Sequence, residues 1–236
     1  MTKSQYPCVA TTPAGFIQRL AHDYVQYGAW FYVTGVVPVR YLAEPARLDA
    51  KLIEKYGVSV SRWTRYRQRE RGKATIHYLR HEGFWILIAT RGSHCIERKG
   101  RVVRFFEDND VRDLRHPSTP VYFWGHSIGA FEQERQWRYR VRIQRRELLG
   151  LRAYFITSMW GRSAAEIGEA FRSLPYVPYR GVKDQYRWIL DAVNARRRKA
   201  GLRERIPYRC VEELRRRAVR PFEQPATQTA GTLLTA

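Results

Sequence analysis

Residues 74–90, ATIHYLRHEGFWILIAT, contain two short runs rich in β-branched and aromatic side chains on either side of His81-Glu82-Gly83. Two such runs separated by a few residues that include glycine are typical of a β-hairpin. The sequence therefore predicts two antiparallel strands, at residues 74–80 and 84–90.

Further strand signals lie on both sides of the hairpin, and most are short and closely spaced. The additional predicted strands are residues 30–37, 94–98, 101–107, 121–124 and 137–143. Lys99-Gly100 forms the turn of a second predicted hairpin. The polar, turn-rich residues 108–120 are predicted to be a loop.

Helical periodicity appears before and after these strands. The predicted helices are residues 13–28, 45–57, a segment around 148–155, a segment that follows a Ser163 capping box, residues 181–200 and a short basic helix at 211–219. This pattern predicts an α+β fold, a mainly antiparallel sheet that can be arranged as a ferredoxin-like (split βαββ) N-terminal core, followed by a helical C-terminal part. We expect a sheet domain at 1–143, a helical region packed on it at 144–221 and a flexible tail at 222–236.

The segment Phe31-Tyr32-Val33-Thr34-Gly35-Val36 resembles the first signature strand of RNA-recognition motifs. Residues 83–87 are placed like the second signature strand of that family, although Glu82, Trp85 and Ile86 depart from its pattern. The resemblance spans residues 30–90 at most, a split βαββ core accounts for it equally well, and we assign no family on it. It implies that Tyr32 and Phe84 stack bases if they face outward; the alternative is that both belong to the core.

The charge of the chain is strongly positive. Its 236 residues include 43 Lys and Arg against 22 Asp and Glu, a net charge of +21, and 36 of the 43 cations are arginine. Such an excess opposes compaction unless a polyanion offsets it. A GC-rich genome explains the preference for arginine over lysine, but it does not explain the shortage of acids. Nucleic acid is therefore the expected partner.

Several other classes of protein are disfavoured. The longest apolar runs fall short of the ~20 residues that a membrane helix needs, and the N-terminal residues lack the apolar core of a secretory signal. Cys8, Cys95 and Cys210 are odd in number and far apart, so neither a disulfide framework nor a zinc pattern follows. We expect a cytoplasmic protein with no membrane partner, no metal site and no cofactor.

The most informative segment for function is 135–146. Within it, Trp137, Tyr139, Val141 and Ile143 alternate with arginines, so a strand here has one apolar face and one row of guanidinium groups about 6.8 Å apart. That spacing is close to the phosphate spacing of an extended single strand, although a merely solvated strand face is the alternative. The residues predicted to contact phosphates are Arg135, Arg138, Arg140, Arg142, Arg145 and Arg146.

A second basic stretch, residues 62–71, interleaves aromatic and arginine side chains. Such mixing suits base stacking combined with phosphate contact. The alternative is a loop whose aromatic side chains lie in the core while its arginines are solvated. The candidate binding residues are Arg62, Trp63, Arg65, Tyr66, Arg67 and Arg69.

An enzymatic alternative rests on the acidic segment 107–113. Glu107, Asp110 and Asp113, with His94 as a general base, could hold Mg²⁺ in a nuclease, although they could equally pair with nearby arginines. Tyr186 is a candidate nucleophile for a replication initiator or transposase of a mobile element, but its spacing also fits the core. The leading prediction remains a binding protein for RNA or single-stranded DNA. The second alternative is a structural subunit of a larger nucleoprotein assembly.

Overall fold

A computed structural model of the protein describes residues 6–98, 100–158 and 160–223. The strands are β1 (Ala29–Val36), β2 (Ile76–His81), β3 (Phe84–Thr90), β4 (Ile96–Arg98), β5 (Arg101–Val103), β6 (Arg112–Asp113), β7 (Val121–Phe123), β8 (His126–Gln133) and β9 (Gln136–Ile143). The helices are α1 (Pro13–Gln18), α2 (Pro45–Lys55), α3 (Arg62–Glu70), α4 (Arg145–Ser158), α5 (Ala164–Arg172), α6 (Arg180–Lys199) and α7 (Arg209–Glu212). The α+β class predicted from the sequence is confirmed.

The predicted hairpin at residues 74–90 is confirmed and forms part of a four-stranded antiparallel sheet. β2 pairs with β3 from Ile76 opposite Ala89 to His81 opposite Phe84. The order in this sheet is β2-β3-β1-β6, so β3 lies between β1 and β2, which α2 and α3 connect. The short β6 lies inside the segment that the sequence analysis assigned to a loop. β4 and β5 form a separate hairpin, and Lys99 of its predicted turn lies outside the described residues.

A second sheet of three antiparallel strands, in the order β7-β8-β9, carries the segment of greatest functional interest. Its central strand, β8, was not predicted. The sequence of β8, HSIGAFEQ, contains glycine, serine and glutamate, which are poor strand formers. It becomes a strand because it has a partner on both sides, β7 over residues 126–128 and β9 over its whole length.

One hydrophobic core joins the two sheets to the helical half of the chain. Helix α1 begins at Pro13 and places Phe16 against Phe84 of one sheet and Phe123 of the other. The same core contains Phe155 of α4 and Ile189 of α6, so residues from both sides of position 143 share it. The chain continues from α1 as a π-helical segment (Arg19–Tyr24) and a 3₁₀ turn (Val25–Tyr27) before β1.

The other face of the four-stranded sheet packs on a smaller core, to which a buried ion pair attaches α2. Asp49 accepts hydrogen bonds from Arg80 Nε and Nη2 at 2.8 and 2.9 Å and from the Tyr78 hydroxyl at 2.6 Å. All three residues are buried. Because a buried charge is costly unless it is paired and hydrogen-bonded, this network specifies how α2 sits on β2.

The structure corrects two local predictions and settles a third. The helix predicted at 211–219 ends at Glu212, because residues beyond it turn back to the start of the chain: the Gln18 amide side chain bonds both backbone groups of Val219. Residues 62–70, which were a loop only in the alternative interpretation, form a helix. Tyr32 is buried and Phe84 packs on the core, so neither presents its ring for base stacking.

Of the tail predicted at 222–236, residues 222 and 223 are placed, and residues 224–236 lie outside the described part. The Thr11 hydroxyl donates a hydrogen bond to the carbonyl oxygen of Glu223 at 2.6 Å. No helix within the described residues is both long and apolar enough to cross a lipid bilayer.

Candidate nucleic-acid interface

The arginine row on β9 has the two-faced arrangement that its alternation predicts. Val141 and Ile143 point into the core and are each 2% exposed. Arg138, Arg140 and Arg142 point to the opposite face, on which Arg138 and Arg142 are exposed and Arg140 is partly buried. β9 forms the edge of its sheet, so this row borders open solvent along one side.

The neighbouring strands contribute uncharged side chains to the same face. The residues of β8 that lie opposite Arg142, Arg140 and Arg138 are Ser127, Gly129 and Phe131, and Tyr122 of β7 lies opposite Ser127. The Arg140 guanidinium carbon lies 4.0 Å from the centre of the Phe131 ring, a cation–π contact that covers this ring. We call this surface of β7, β8 and β9 the sheet face.

The positive charge of the sheet face is not neutralised locally. Among residues 6–98, 100–158 and 160–223, no carboxylate lies within 4.0 Å of a charged nitrogen of the β9 arginines, of Arg135 in the turn before them, or of Arg145 and Arg146 after them. Asp184, at the edge of the sheet face, pairs with Arg187 at 3.0 Å. Partial burial and the neighbouring Arg142 lower the pKa of Arg140, and the carboxylate of Asp184 offsets this effect only in part.

Two grooves flank Arg140 and Arg142, and both are lined by Phe131. The larger, of about 780 Å³, runs along the open edge of β9 and is bounded by Tyr179, Arg180 and Gly181 at the start of α6. The smaller, of about 350 Å³, lies over β8, where residues 114–117 and Pro120 form its far wall. The arginine side chains therefore stand between two open channels rather than on a flat surface.

Helix α6 fixes the end of β9 through two small features of its first turns. The Gln185 side chain accepts a hydrogen bond from the backbone N–H of Ile143 at 2.7 Å and donates one to its carbonyl oxygen at 3.0 Å, as a neighbouring strand would. A Cβ atom at Gly181 would lie 2.6 Å from the carbonyl oxygen of Val141, so only glycine allows this approach. These contacts close the edge at Ile143 and leave it open toward Arg138.

The turn between β8 and β9 carries Arg135 in an unusual conformation. Glu134 and Arg135 have φ angles of 52° and 60°, in the left-handed region that favours glycine and asparagine. Arg135 is exposed at the tip of the hairpin. At the other end of β9, Arg145 and Arg146 occupy the first two positions of α4, where the helix dipole disfavours cations.

Helix α3 places the second predicted group of binding residues in solvent. Trp63 is 73% exposed and Tyr66 is 51% exposed, and Arg62, Arg67 and Arg69 are also exposed. None of these three arginines has an ion pair among the described residues. The alternative interpretation placed the aromatic rings in the core, and the structure places them in solvent.

Arg65 differs from the other arginines of α3 because it turns inward. Its guanidinium donates to the carbonyl oxygens of Val58 at 2.6 Å and Ile76 at 3.1 Å, and it lies 3.1 Å from Nδ1 of His77. These contacts tie α3 to β2. Arg65 therefore has a structural role. The neighbouring arginines and aromatic rings of α3 remain accessible to a ligand.

The candidate nuclease residues do not converge. Both ring nitrogens of His94 are engaged, one by the backbone N–H of Phe105 and one by the carbonyl oxygen of Tyr56, each at 3.2 Å. Asp113 is held by Arg115 at 2.6 Å, which helps to lower the pKa of Asp113, whereas Glu107 and Asp110 are exposed. Within the described part of the chain, no three His, Cys, Asp or Glu side chains are grouped so that they could hold a metal ion.

The candidate nucleophile Tyr186 lies in the core. Its side chain is 1% exposed, and burial raises the pKa of its hydroxyl well above the usual value. A substrate phosphate has no access to it in this arrangement. The alternative that its spacing suggested, a core residue of α6, is the one that the structure shows.

Sequence reasoning did not identify Tyr122, Phe131, Gly181 and Gln185 as parts of this surface. Phe131 was missed together with β8, and the two α6 residues come from about 40 positions further along the chain.

Comparison with protein-family models, with curated proteins and with solved structures gives no match to this chain.

Proposed function

We propose that this protein binds nucleic acid, with RNA or single-stranded DNA favoured, through the sheet face. The observation that carries the proposal is the row of Arg138, Arg140 and Arg142, which has no salt-bridge partner among the described residues. Arg140 and Arg142 stand between two grooves, and Arg138 lines the larger of them. A structural role alone would be served by any polar residues on a solvated strand. Phosphate groups are the ligands that bind arginine forks well.

The geometry of the row favours an extended strand over a duplex. Alternate side chains on one strand recur at about 6.8 Å, so successive guanidinium groups can contact successive phosphates of one chain. The grooves on both sides give the sugars and bases of that chain room beside the row. α3 is proposed as a second contact, because it exposes aromatic rings between unpaired arginines.

The test is equilibrium binding of labelled single-stranded DNA, single-stranded RNA and duplex DNA over a range of salt concentrations, in EDTA. We expect single strands to bind more tightly than the duplex, and we expect affinity to fall steeply with salt. The triple variant R138Q, R140Q and R142Q should lower the slope of log affinity against log salt by about 2, since each phosphate contact on a single strand contributes about 0.7.

The matched control is the triple variant R91Q, R104Q and R203Q, which removes the same charge from exposed loop positions outside the sheet face. It should reduce affinity much less. Equal losses in the two triple variants would show that only the overall charge matters. An affinity that does not depend on salt would refute nucleic-acid binding altogether. Repeating the assay with Mg²⁺ and analysing the length of the labelled strand tests the nuclease alternative in the same samples.

A further inference from the structure

The turn between β7 and β8 exposes a tryptophan at a strained position. Trp124 has a φ angle of 48°, and Gly125 follows at 70°, which is the pattern of a two-residue hairpin turn that favours Asn-Gly. A bulky residue with positive φ is rare because its Cβ crowds the backbone. The Trp124 side chain is nevertheless 55% exposed, so burial does not account for its presence.

The Trp124 ring packs against two other rings, and more than half of the side chain is exposed to solvent. Its ring centre lies 6.0 Å from that of the buried His81, in an edge-to-face arrangement, and 6.4 Å from that of Phe123. Tyr122, two residues earlier, is 57% exposed. A shallow pocket of about 260 Å³ lies between this turn and the β2–β3 turn, and both aromatic residues line it.

This pocket adjoins the sheet face. Tyr122 lies opposite Ser127, and Ser127 lies opposite Arg142, so Tyr122 and the arginine row share one side of the sheet. Two strand spacings of about 4.8 Å separate Tyr122 from Arg142. Phe131, the other aromatic residue of this side, is already covered by Arg140. Trp137, Tyr139 and Tyr179 also line the grooves beside the arginine row, but they are buried or half-buried. Tyr122 and Trp124 are more than half exposed.

We propose that Tyr122 and Trp124 stack an unpaired base of the strand whose phosphates lie on Arg138, Arg140 and Arg142. The inference rests on the proposed function and adds a binding site for a base to the proposed contacts with phosphates. The pocket itself is lined by one carboxylate, Glu82, and by no lysine or arginine, so it suits the uncharged base of the strand. The phosphates of that strand lie on the arginine row two strands away, whose charge favours a polyanion over an apolar peptide. Stacking on exposed aromatic rings is how single-strand binding proteins hold bases without reading their sequence.

The experiment compares an ordinary single-stranded oligonucleotide with an abasic one of the same length, which keeps every phosphate but lacks bases. The wild-type protein should bind the base-containing strand at least about fivefold more tightly, since one stacked base contributes about 1–3 kcal/mol. W124G and Y122A should each reduce that preference measurably, leave the part that α3 contributes, and retain the affinity for the abasic strand. W124F should keep the preference.

Two controls separate misfolding and general effects from the inference. W160A removes another exposed tryptophan, which is 59% exposed and lies two residues after the end of α4, and should leave the preference unchanged. W124G relieves the positive φ but loses the ring contacts with His81 and Phe123, so circular dichroism is used to establish that the variant is folded before its binding is compared. A wild-type protein with no preference for bases, or a W124G variant that keeps it, overturns the inference. If the wild-type protein binds neither oligonucleotide, the result overturns the proposed function instead.

Discussion

Relieving the strained β8–β9 turn is expected to stabilise the fold, and one of its two residues should also matter for binding. Glu134 and Arg135 both have positive φ, at 52° and 60°. A non-glycine residue in this region costs about 1–2 kcal/mol. Asn at 134 tolerates the conformation. Gly at 135 removes the steric cost, but its greater backbone entropy in the unfolded state lowers stability by about 0.5–1 kcal/mol.

The double variant E134N and R135G should therefore raise the free energy of unfolding by about 1–2 kcal/mol. For a chain of this length, each kcal/mol shifts the melting temperature by about 2–4 °C, so the expected rise is roughly 2–8 °C. Thermal unfolding followed by circular dichroism measures it. The control is Q136G in the adjoining strand, where glycine should cost about 0.5–1 kcal/mol instead.

The two single variants separate stability from binding. E134N should stabilise the protein without weakening its affinity for single strands, because no phosphate contact is lost. R135G should also stabilise it or leave it unchanged, while the salt slope of binding falls by about 0.7, the contribution of one phosphate contact. If R135G melts as low as Q136G, the turn is not strained. An R135G variant with the wild-type salt slope would falsify the role of Arg135 in phosphate contact.

Three further predictions address the buried ion pair of Asp49, the buried His77 and the exposed rings of α3. D49N should lower the free energy of unfolding by about 3–5 kcal/mol in urea titrations, because it leaves a buried arginine unpaired; E44Q, at an exposed ion pair, should change it by less than about 1 kcal/mol. Burial and nearby arginines lower the pKa of His77 to about 3, so the unfolded state takes up a proton below pH ~6.5 that the folded state does not. Stability should fall as pH drops from about 6.5 toward 3, and H77Q should show a shallower fall, whereas identical pH profiles would refute this. The variant W63A and Y66A should melt like the wild type, since both rings are exposed, but bind single strands more weakly.

The elements that the sequence predicts well are those whose signals are local. The hairpin of β2 and β3, the capping box at Ser163 and the long α6 each depend on residues within a few positions of one another. β8 and the end of the chain depend on distant partners. β8 is a strand because β9 pairs with it, and residues after Glu212 are not helical because Gln18 bonds the backbone of Val219.

The candidate site divides in the same way. The alternation at 136–143 predicts the arginine row and its apolar reverse side, because a strand has a period of two whatever surrounds it. The walls of the grooves come from α6 and from residues 114–120, which no local pattern connects to β9. The inward turn of Arg65 was equally hidden, because its partners, the carbonyl oxygens of Val58 and Ile76, belong to backbone that only the fold brings together.

Several features that oppose stability lie on or next to the sheet face. The cross-strand neighbours of the β9 arginines, Ser127, Gly129 and Phe131, carry no charge that could offset the row. Arg135 and Trp124 occupy left-handed backbone positions at the two ends of β8, and Arg145 starts a helix against its dipole. Each feature costs free energy that a neutral residue, a glycine or an acid would avoid. Strain and uncompensated charge persist together where a site needs them, and a polyanion lying across this face would offset the charge that the fold leaves unpaired.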